Sequence, residues 1–164
     1  MERYFEDMLP AEELEQLKFI PTIPEFVEWM EKKWHDLPAL SDTISTCTYA
    51  KMCNDIAHKR ALLNNLGLRK GDKVAILDNS TPDAVEMFLA VTSAGYVAIN
   101  LPSQLPEQAV IGSCMRFDVK VLAYGKIFGD IAELVPCKTL KIEELGDTTA
   151  PVTAVSPDDP AAIF

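Results

Sequence analysis

The sequence predicts an α/β fold: a mainly parallel sheet with helices on both faces, in the order βαβαβαβ, preceded by a helical leader and a short hairpin. From Lys73 onward, apolar runs of strand length alternate with segments of helical periodicity. The strand runs are almost continuously apolar, which is typical of parallel strands covered on both faces. We expect a helical leader at residues 1–40 and an α/β part at residues 41–164.

The leader contains one clear helix start, in the segment TIPE. Thr22 is the expected N-cap, Glu25 follows three residues later, and Pro24 lies in the first turn, where proline is tolerated. The apolar face of this helix consists of Phe26, Val27, Met30 and Trp34. Pro38 ends the helix, and the segment ALSDTISTCT predicts the short hairpin.

A second helix is predicted to begin after Thr48 as N-cap and to end before Gly67, which suits the left-handed position of a C-terminal cap. Its apolar face consists of Tyr49, Met52, Cys53, Ile56 and Leu63. Three basic residues are expected to face water: Lys51, Lys59 and Arg60. Gly71 then supplies the backbone angle of a tight turn.

The alternating part contains four predicted strands, KVAIL, YVAINL, VKVLAY and KTLKI. Thr81 as N-cap and Pro82 at the first position predict a helix after the first strand, and Pro106 begins another after the second. The segment KIFGDIAELV predicts a third helix, weakened by Gly129. Residues 143–160 predict a loop, and the last residues, AAIF, predict the opening of a buried strand.

Composition restricts the class of function. The net charge of −10 repels a phosphate backbone, so nucleic-acid binding is not expected. No apolar run approaches the ~20 residues of a membrane span, and the acidic N-terminus lacks the features of a signal peptide. These features predict a cytoplasmic location. The four cysteines suit either a zinc site or reactive thiol, or reduced and mostly buried side chains, which the absence of a C-x-x-C pair favours.

Ligands of open α/β sheets bind outside the carboxyl ends of the strands. This rule selects three loops: Asp78–Ser80, Pro102–Gln104 and Tyr124–Lys126. Asn79 and Ser80 in the first loop are the candidate substrate-binding residues. That loop opens a helix at Thr81, whose free N–H groups could bind an anion, but a plain helix cap is the favoured interpretation of Thr81.

No catalytic residue and no metal ligand is assigned. The chain contains no G-x-G-x-x-G, no Walker loop and no G-x-S-x-G elbow. The segment GLRKG lies after a helix and before a strand, which favours a structural turn over a phosphate loop. The adjacent pair Asp158 and Asp159 could bind a metal, but its place before Pro160 favours turn chemistry.

From Thr48 to Phe164, the chain resembles the N-terminal region of the adenylate-forming (AMP-binding) enzymes, which include acyl-CoA synthetases, luciferases and peptide-synthetase adenylation domains. The resemblance rests on four segments in the family's order: TYAKM, LLNNLGLRKGDKVAIL, STPDAVEMFLAVTSAG and DDPAAIF. The last is similar to the strand that leads into the family's Ser/Thr/Gly-rich phosphate loop. The chain is thus expected to be a truncated N-terminal fragment.

Several positions depart from the family pattern. They lie mostly at the predicted ligand edge of the sheet, so they bear on which class of substrate is predicted and not on the family. Ser80 stands where the family often has Asn, and Asn79 where it often has Pro. Asn100 replaces a common Pro, Pro102 stands near the usual Asn or Asp, and Ser93 stands where Lys is frequent.

The resemblance implies a two-step reaction, in which a carboxylate attacks the α-phosphate of Mg-ATP and a thiol, often that of coenzyme A, then displaces AMP. The groups that hold ATP follow the position of Phe164 in this family, so the fragment is expected to bind no cofactor and to be inactive alone. The missing remainder of the synthetase is its expected partner, and the carboxylate is the substrate of the parent enzyme.

The similarity of residues 22–40 to the leader of acyl-CoA synthetases favours that type, and with it fatty acid metabolism. A peptide-synthetase adenylation fragment is an alternative, although its usual Y-V-P-L-D is absent from YVAINL. A stand-alone, non-catalytic binding module is another. A phosphoacceptor receiver domain is disfavoured, because only Asp78 fits its cluster of acids.

A truncated subdomain exposes apolar surface that its missing part would cover, and such patches favour association. We therefore predict a homodimer or a higher species in solution. Light scattering over a range of concentrations measures this, and a monomer at high concentration would contradict it.

Overall fold

The computed structural model describes residues 22–164, and Glu12 alone of the preceding segment. Most of the leader predicted at residues 1–40 therefore lies outside the described residues, and its boundary with the α/β part stays a prediction. From Thr22 onward, the elements follow the predicted order. None of the helices in the described part is long and apolar enough to cross a bilayer.

Helix α1 (Ile23–Trp34) leads to a hairpin of β1 (Pro38–Ser41) and β2 (Thr46–Thr48), and then to α2 (Tyr49–Asn65). The alternating part contains β3 (Lys73–Leu77), α3 (Pro82–Ser93), β4 (Val97–Leu101), α4 (Glu107–Arg116) and β5 (Val119–Tyr124). A short 3₁₀ helix (Lys126–Phe128) joins α5 (Gly129–Ala132), followed by β6 (Lys138–Lys141) and β7 (Ala162–Ile163).

The five strands β3 to β7 form one parallel sheet in the order β6-β5-β3-β4-β7, so the predicted fold class is confirmed. Its two faces are covered by different helices. Val74 and Ile76 of β3 pack with α1, α2 and α3, whereas Ala75 and Leu77 pack with α4, α5 and the 3₁₀ helix. The alternation of side chains along β3 therefore divides the core into two clusters.

The predicted helix starts are confirmed by their hydrogen bonds. The Thr22 hydroxyl accepts from the backbone N–H of Glu25 and donates to its carboxylate at 2.6 Å. Thr48 and Thr81 cap α2 and α3 in the same manner, by accepting a backbone N–H three residues later. Gly71 adopts a φ of 83°, as the predicted turn requires.

Two predictions about local structure need correction. The segment predicted as the third helix forms only the 3₁₀ helix and the four-residue α5, because Gly129 has a low helix propensity and divides it. The last strand is not buried. β7 pairs with β4 on one side only, no strand of residues 22–164 covers its other side, and Phe164 is 94% exposed.

The prediction that Lys59 and Arg60 face water is wrong, because both side chains are buried. The ammonium group of Lys59 lies 2.6 Å from Asp83 Oδ1, 3.1 Å from Glu86 Oε2 and 2.7 Å from the carbonyl oxygen of Ile142. This cluster connects α2 to the first turns of α3 and to the residue after β6. A buried ammonium group is tolerated only when such partners replace its water.

Arg60 makes a parallel connection at the other end of α3. Its Nε donates to the carbonyl oxygen of Ala150 at 3.0 Å, and its Nη1 donates to the hydroxyl of Ser93 at 3.1 Å. Ser93, one of the positions that depart from the pattern of the resembled family, is the last residue of α3 and so lies away from the carboxyl ends of the strands. Its departure from the family pattern concerns the packing of α2 on α3.

We predict that Lys59→Met lowers the free energy of unfolding by about 3–5 kcal/mol at neutral pH, because Asp83, Glu86 and the Ile142 carbonyl lose their buried partner. Urea unfolding measures the change. Lys120→Met is the matched control. Lys120 pairs at the surface with Asp118, so a loss below about 1 kcal/mol is expected there.

The loss of unfolding free energy in Lys59→Met, here called the deficit, should depend on pH. Burial raises the pKa of Glu86, whereas the charge of Lys59 lowers it, and the net direction is upward. A carboxyl whose pKa is raised by folding contributes stability at low pH and loses it as pH rises through the folded-state pKa. Without Lys59 that loss is larger, so the deficit of Lys59→Met should grow between about pH 4 and pH 8. A deficit that shrinks with rising pH would contradict this.

Candidate functional site

A crevice opens between β3 and β4 at their carboxyl ends. The chain after β3 continues into α3 on one face of the sheet, and the chain after β4 continues into α4 on the other face. Such a divergence creates the ligand crevice of open α/β sheets. Two of the three predicted loops, 78–80 and 102–104, meet there around a cavity of about 660 Å³.

The crevice combines apolar walls with neutral polar groups. Its apolar side is contributed by Ile76, Ala84, Val85, Phe88, Leu101 and Phe164. Its polar side is contributed by Asp78, Asn79, Ser80, Asn100, Ser103 and Gln104. Apart from Asp78, none of these side chains is ionisable. The volume and the lining are within the range of small-molecule sites.

The two candidate substrate-binding residues, Asn79 and Ser80, both line this crevice. Both side chains are exposed, and within residues 22–164 neither makes a hydrogen bond. Their amide and hydroxyl groups are thus available to a ligand as donors and acceptors. Their role in binding stays a prediction.

The start of α3 carries negative charge of its own. The hydroxyl of Thr81 donates to the Asp78 carboxylate while it accepts the N–H of Ala84 at 3.2 Å. Asp83 lies in the first turn and Glu86 one turn later. Asp83 and Glu86 pair with Lys59, so the Asp78 carboxylate is the charge that would repel a second anion at this positive end of the helix dipole. This arrangement favours the interpretation of Thr81 as a cap over that of an anion site.

The third predicted loop, residues 124–126, follows β5 on the other side of β3, where the Asp78 side chain lies against Gly125. A Cβ atom built on Gly125 would lie 2.6 Å from the Asp78 Cγ, which is closer than real Cβ contacts allow. Gly125 therefore lets the Asp78 side chain occupy the space between β3 and β5. Lys126 and Lys141 border a separate cavity of about 320 Å³, where the N–H of Lys126 donates to Glu143 at 2.8 Å.

Sequence reasoning missed the contribution of Phe88 and Phe164 to the crevice and the contact between Asp78 and Gly125. The position of Phe88 was detectable, since it lies two turns after Thr81 on the helix that begins at the crevice. The contact of Gly125 with Asp78 was not detectable, because it depends on the pairing of β3 with β5.

The four cysteines are free thiols, of which Cys53 and Cys114 are buried and Cys47 and Cys137 half-buried. Within the part of the chain that the structure describes, no group of three or more His, Cys, Asp or Glu side chains is placed to hold a metal.

The family of the chain follows from a match to the family model described as AMP-binding enzyme, which covers residues 26–164. The chain belongs to this family. Among curated proteins, the hybrid PKS-NRPS synthetase traA of Penicillium crustosum is 29% identical over 147 residues, which are 86% of this chain and 4% of that protein.

Solved structures of adenylation domains and acyl-CoA synthetases share the fold. The N-terminal subdomain of NpsA from Klebsiella oxytoca, in complex with 3-hydroxybenzoyl-AMSN, has a TM-score of 0.74 at 23% identity over 87% of this chain and 37% of that chain. A fatty acyl CoA synthetase from Mycobacterium tuberculosis has a TM-score of 0.74 at 19% identity over 87% and 32%. The AMP-binding chain thus spans about a third of these structures.

We predict that Gly125→Ala destabilises the protein by about 1–3 kcal/mol, because the added methyl group overlaps the Asp78 carboxyl and forces it to move. Thermal unfolding measures the loss, and exchange of the amide protons of residues 78–81 reports the displacement. Gly112→Ala is the matched control: no atom lies within 4 Å of the added Cβ, and alanine favours a helix by up to about 1 kcal/mol. Equal effects of the two variants would contradict the proposed contact.

Proposed function

We propose that this AMP-binding chain is the N-terminal part of an ATP-dependent acid–thiol ligase of the acyl-CoA synthetase type, and that it is inactive alone. The observation that carries the proposal is the family match over residues 26–164, together with a crevice at the carboxyl ends of β3 and β4. The fatty acyl CoA synthetase with the same fold and the acyl-CoA synthetase character of residues 22–40 support this type.

The described residues suit the organic part of the carboxylate substrate but not the triphosphate of ATP. The crevice between β3 and β4 suits an uncharged, partly apolar group, because its walls are apolar and its polar side chains are mostly neutral. The triphosphate of ATP does not fit at the start of α3, since the Asp78 carboxylate would repel it. No step of adenylate formation is therefore assigned to this chain.

We assign to Asn79 and Ser80 the binding and orientation of the organic part of the carboxylate substrate. Their unpaired side chains line the crevice together with Phe88 and Phe164, which provide apolar surface. Hydrogen bonds from these two side chains would fix the direction in which the acid enters. A fatty acid is the class that this combination of surfaces favours.

A second candidate function is the activation of an amino or aryl acid by a peptide-synthetase adenylation domain. The similarity to the hybrid PKS-NRPS synthetase traA over 86% of the chain favours it. Both candidates form an acyl-adenylate and differ in the thiol that receives the acyl group. In either case the remainder of the synthetase is the partner, and exposed apolar residues outside the crevice, such as Ile44, Met115 and Ile127, are the surface through which we propose that copies of the chain associate.

Exchange of labelled pyrophosphate into ATP, assayed with a panel of carboxylic acids, tests the proposal. We expect no exchange above background with the 164-residue chain and acid-dependent exchange with the longer protein. Release of AMP with coenzyme A as acceptor indicates the synthetase type, whereas release only with a phosphopantetheine carrier indicates the adenylation type. Exchange by the short chain would overturn the assignment of inactivity.

The same assay in the longer protein tests the crevice. The double substitution of Asn79 and Ser80 by Ala should raise the KM for the acid about 30-fold with little change in kcat, because each of the two lost hydrogen bonds costs about 1 kcal/mol. Asn65→Ala, at an exposed position at the end of α2, is the control. An unchanged KM in the double variant would remove both residues from the site.

A further inference from the structure

Two thiols meet on the face of the sheet that α4 covers. Cys114 lies in the last turns of α4 and is 2% exposed, and Cys137 lies just before β6 and is half-buried. Both belong to the hydrophobic cluster between α4, α5 and the sheet. Each of the two thiols is near enough to change the pKa of the other.

The sheet register accounts for this contact. Lys138 pairs with Val121, whose side chain packs toward α2 and α3, so the preceding residue, Cys137, points toward the opposite face. On that opposite face α4 presents Val110 and Cys114 to the sheet. The contact therefore follows from strand alternation and from the position of one helix.

The two sulfur atoms differ in chemical character. The interaction with the Cys114 thiol is the largest influence on the pKa of Cys137, and backbone N–H groups at Leu122 and at Cys137 itself act in the same direction. Together they lower the pKa of Cys137 to about 7 from an ordinary 9.0. The same contact, with burial, raises the pKa of Cys114. Because the thiolate is the nucleophile, Cys137 is the reactive member and Cys114 the protonated one.

The other two cysteines lack such a partner. Cys53 is buried, its thiol faces the carbonyl oxygen of Val27 at 3.8 Å, and burial raises its pKa to about 11. Cys47 lies in β2, outside the cluster that contains Cys114 and Cys137. Within residues 22–164, neither forms a hydrogen bond with another thiol, so the pair at Cys114 and Cys137 is distinct in the described part of the chain.

We propose that Cys114 and Cys137 form a reversible redox pair that closes to a disulfide when the protein meets a peroxide. The Cys137 thiolate attacks one peroxide oxygen, which forms an S–O bond, breaks the O–O bond and leaves hydroxide that is protonated to water. The Cys114 sulfur then attacks the sulfenic sulfur, which forms the S–S bond and breaks the S–O bond. The Cys114 proton leaves with the hydroxyl group as a second water molecule.

In balance, two thiols and one hydrogen peroxide give one disulfide and two water molecules. A small dithiol reverses the reaction by thiol–disulfide exchange. The bond would join the end of α4 to the start of β6 and so enclose β5 in a covalent loop. Such a loop restricts the unfolded chain, and the oxidised protein is expected to unfold at a higher temperature than the reduced one.

The test is treatment of the full chain with a small excess of hydrogen peroxide, followed by digestion and mass analysis without reduction. We expect one cross-linked peptide that contains Cys114 and Cys137, with the loss of two hydrogen atoms, and its disappearance after addition of dithiothreitol. The melting temperature should rise on oxidation and return on reduction. Cross-links that involve Cys47 or Cys53 at a similar yield would overturn the proposal.

Variants separate the roles of the two sulfurs. In Cys114→Ser, a dimedone adduct should accumulate on Cys137, because the sulfenic acid formed there has no resolving thiol. In Cys137→Ser, no adduct should form on Cys114, and Cys47→Ser should cross-link as the wild type does. Circular dichroism of each reduced variant establishes that it is folded. Preferential labelling of Cys114, or no labelling in the folded Cys114→Ser variant, would contradict the assignment.

Discussion

The buried ammonium group of Lys59 is the interaction on which the arrangement of the site depends. It reaches from α2 to two carboxylates in the first turns of α3 and to the carbonyl oxygen of Ile142 after β6. The buried ammonium group is not reached by water and depends on these three partners. The start of α3 must therefore keep its position on the sheet. That start carries Thr81 and one wall of the crevice.

The acids that pair with Lys59 do not line the crevice, whereas Asp78 does. Asp78, held by the hydroxyl of Thr81, adds a further negative charge on the sheet side of α3. A helix N-terminus that would otherwise attract an anion is therefore already occupied by carboxylates of the chain itself.

Much of the fold could be predicted, because its determinants are local. Threonine caps at residues 22, 48 and 81 and the turn at Gly71 depend on near neighbours in sequence, and all are confirmed. The prediction that Lys59 faces water failed, because it relied on the charge of lysine and not on the position of the residue in the helix. It lies three residues after Ile56 and four before Leu63, on the apolar face of α2. The contact of Asp78 with Gly125 could not be predicted, since it requires the strand order.

The two faces of the sheet differ in how they respond to chemical change. On the face of α2 and α3, buried charges are mutually satisfied, and the loss of one member exposes the others to an apolar surrounding. On the face of α4, the reactive groups are the sulfur atoms of Cys114 and Cys137. A disulfide between them would leave every buried charge of the described residues with its hydrogen-bond partners. Since α4 follows the loop 102–104, a bond at its far end would restrain one wall of the crevice while Lys59 restrains the other. Oxidation on this face can therefore influence the crevice without disturbing the ion cluster that positions α3.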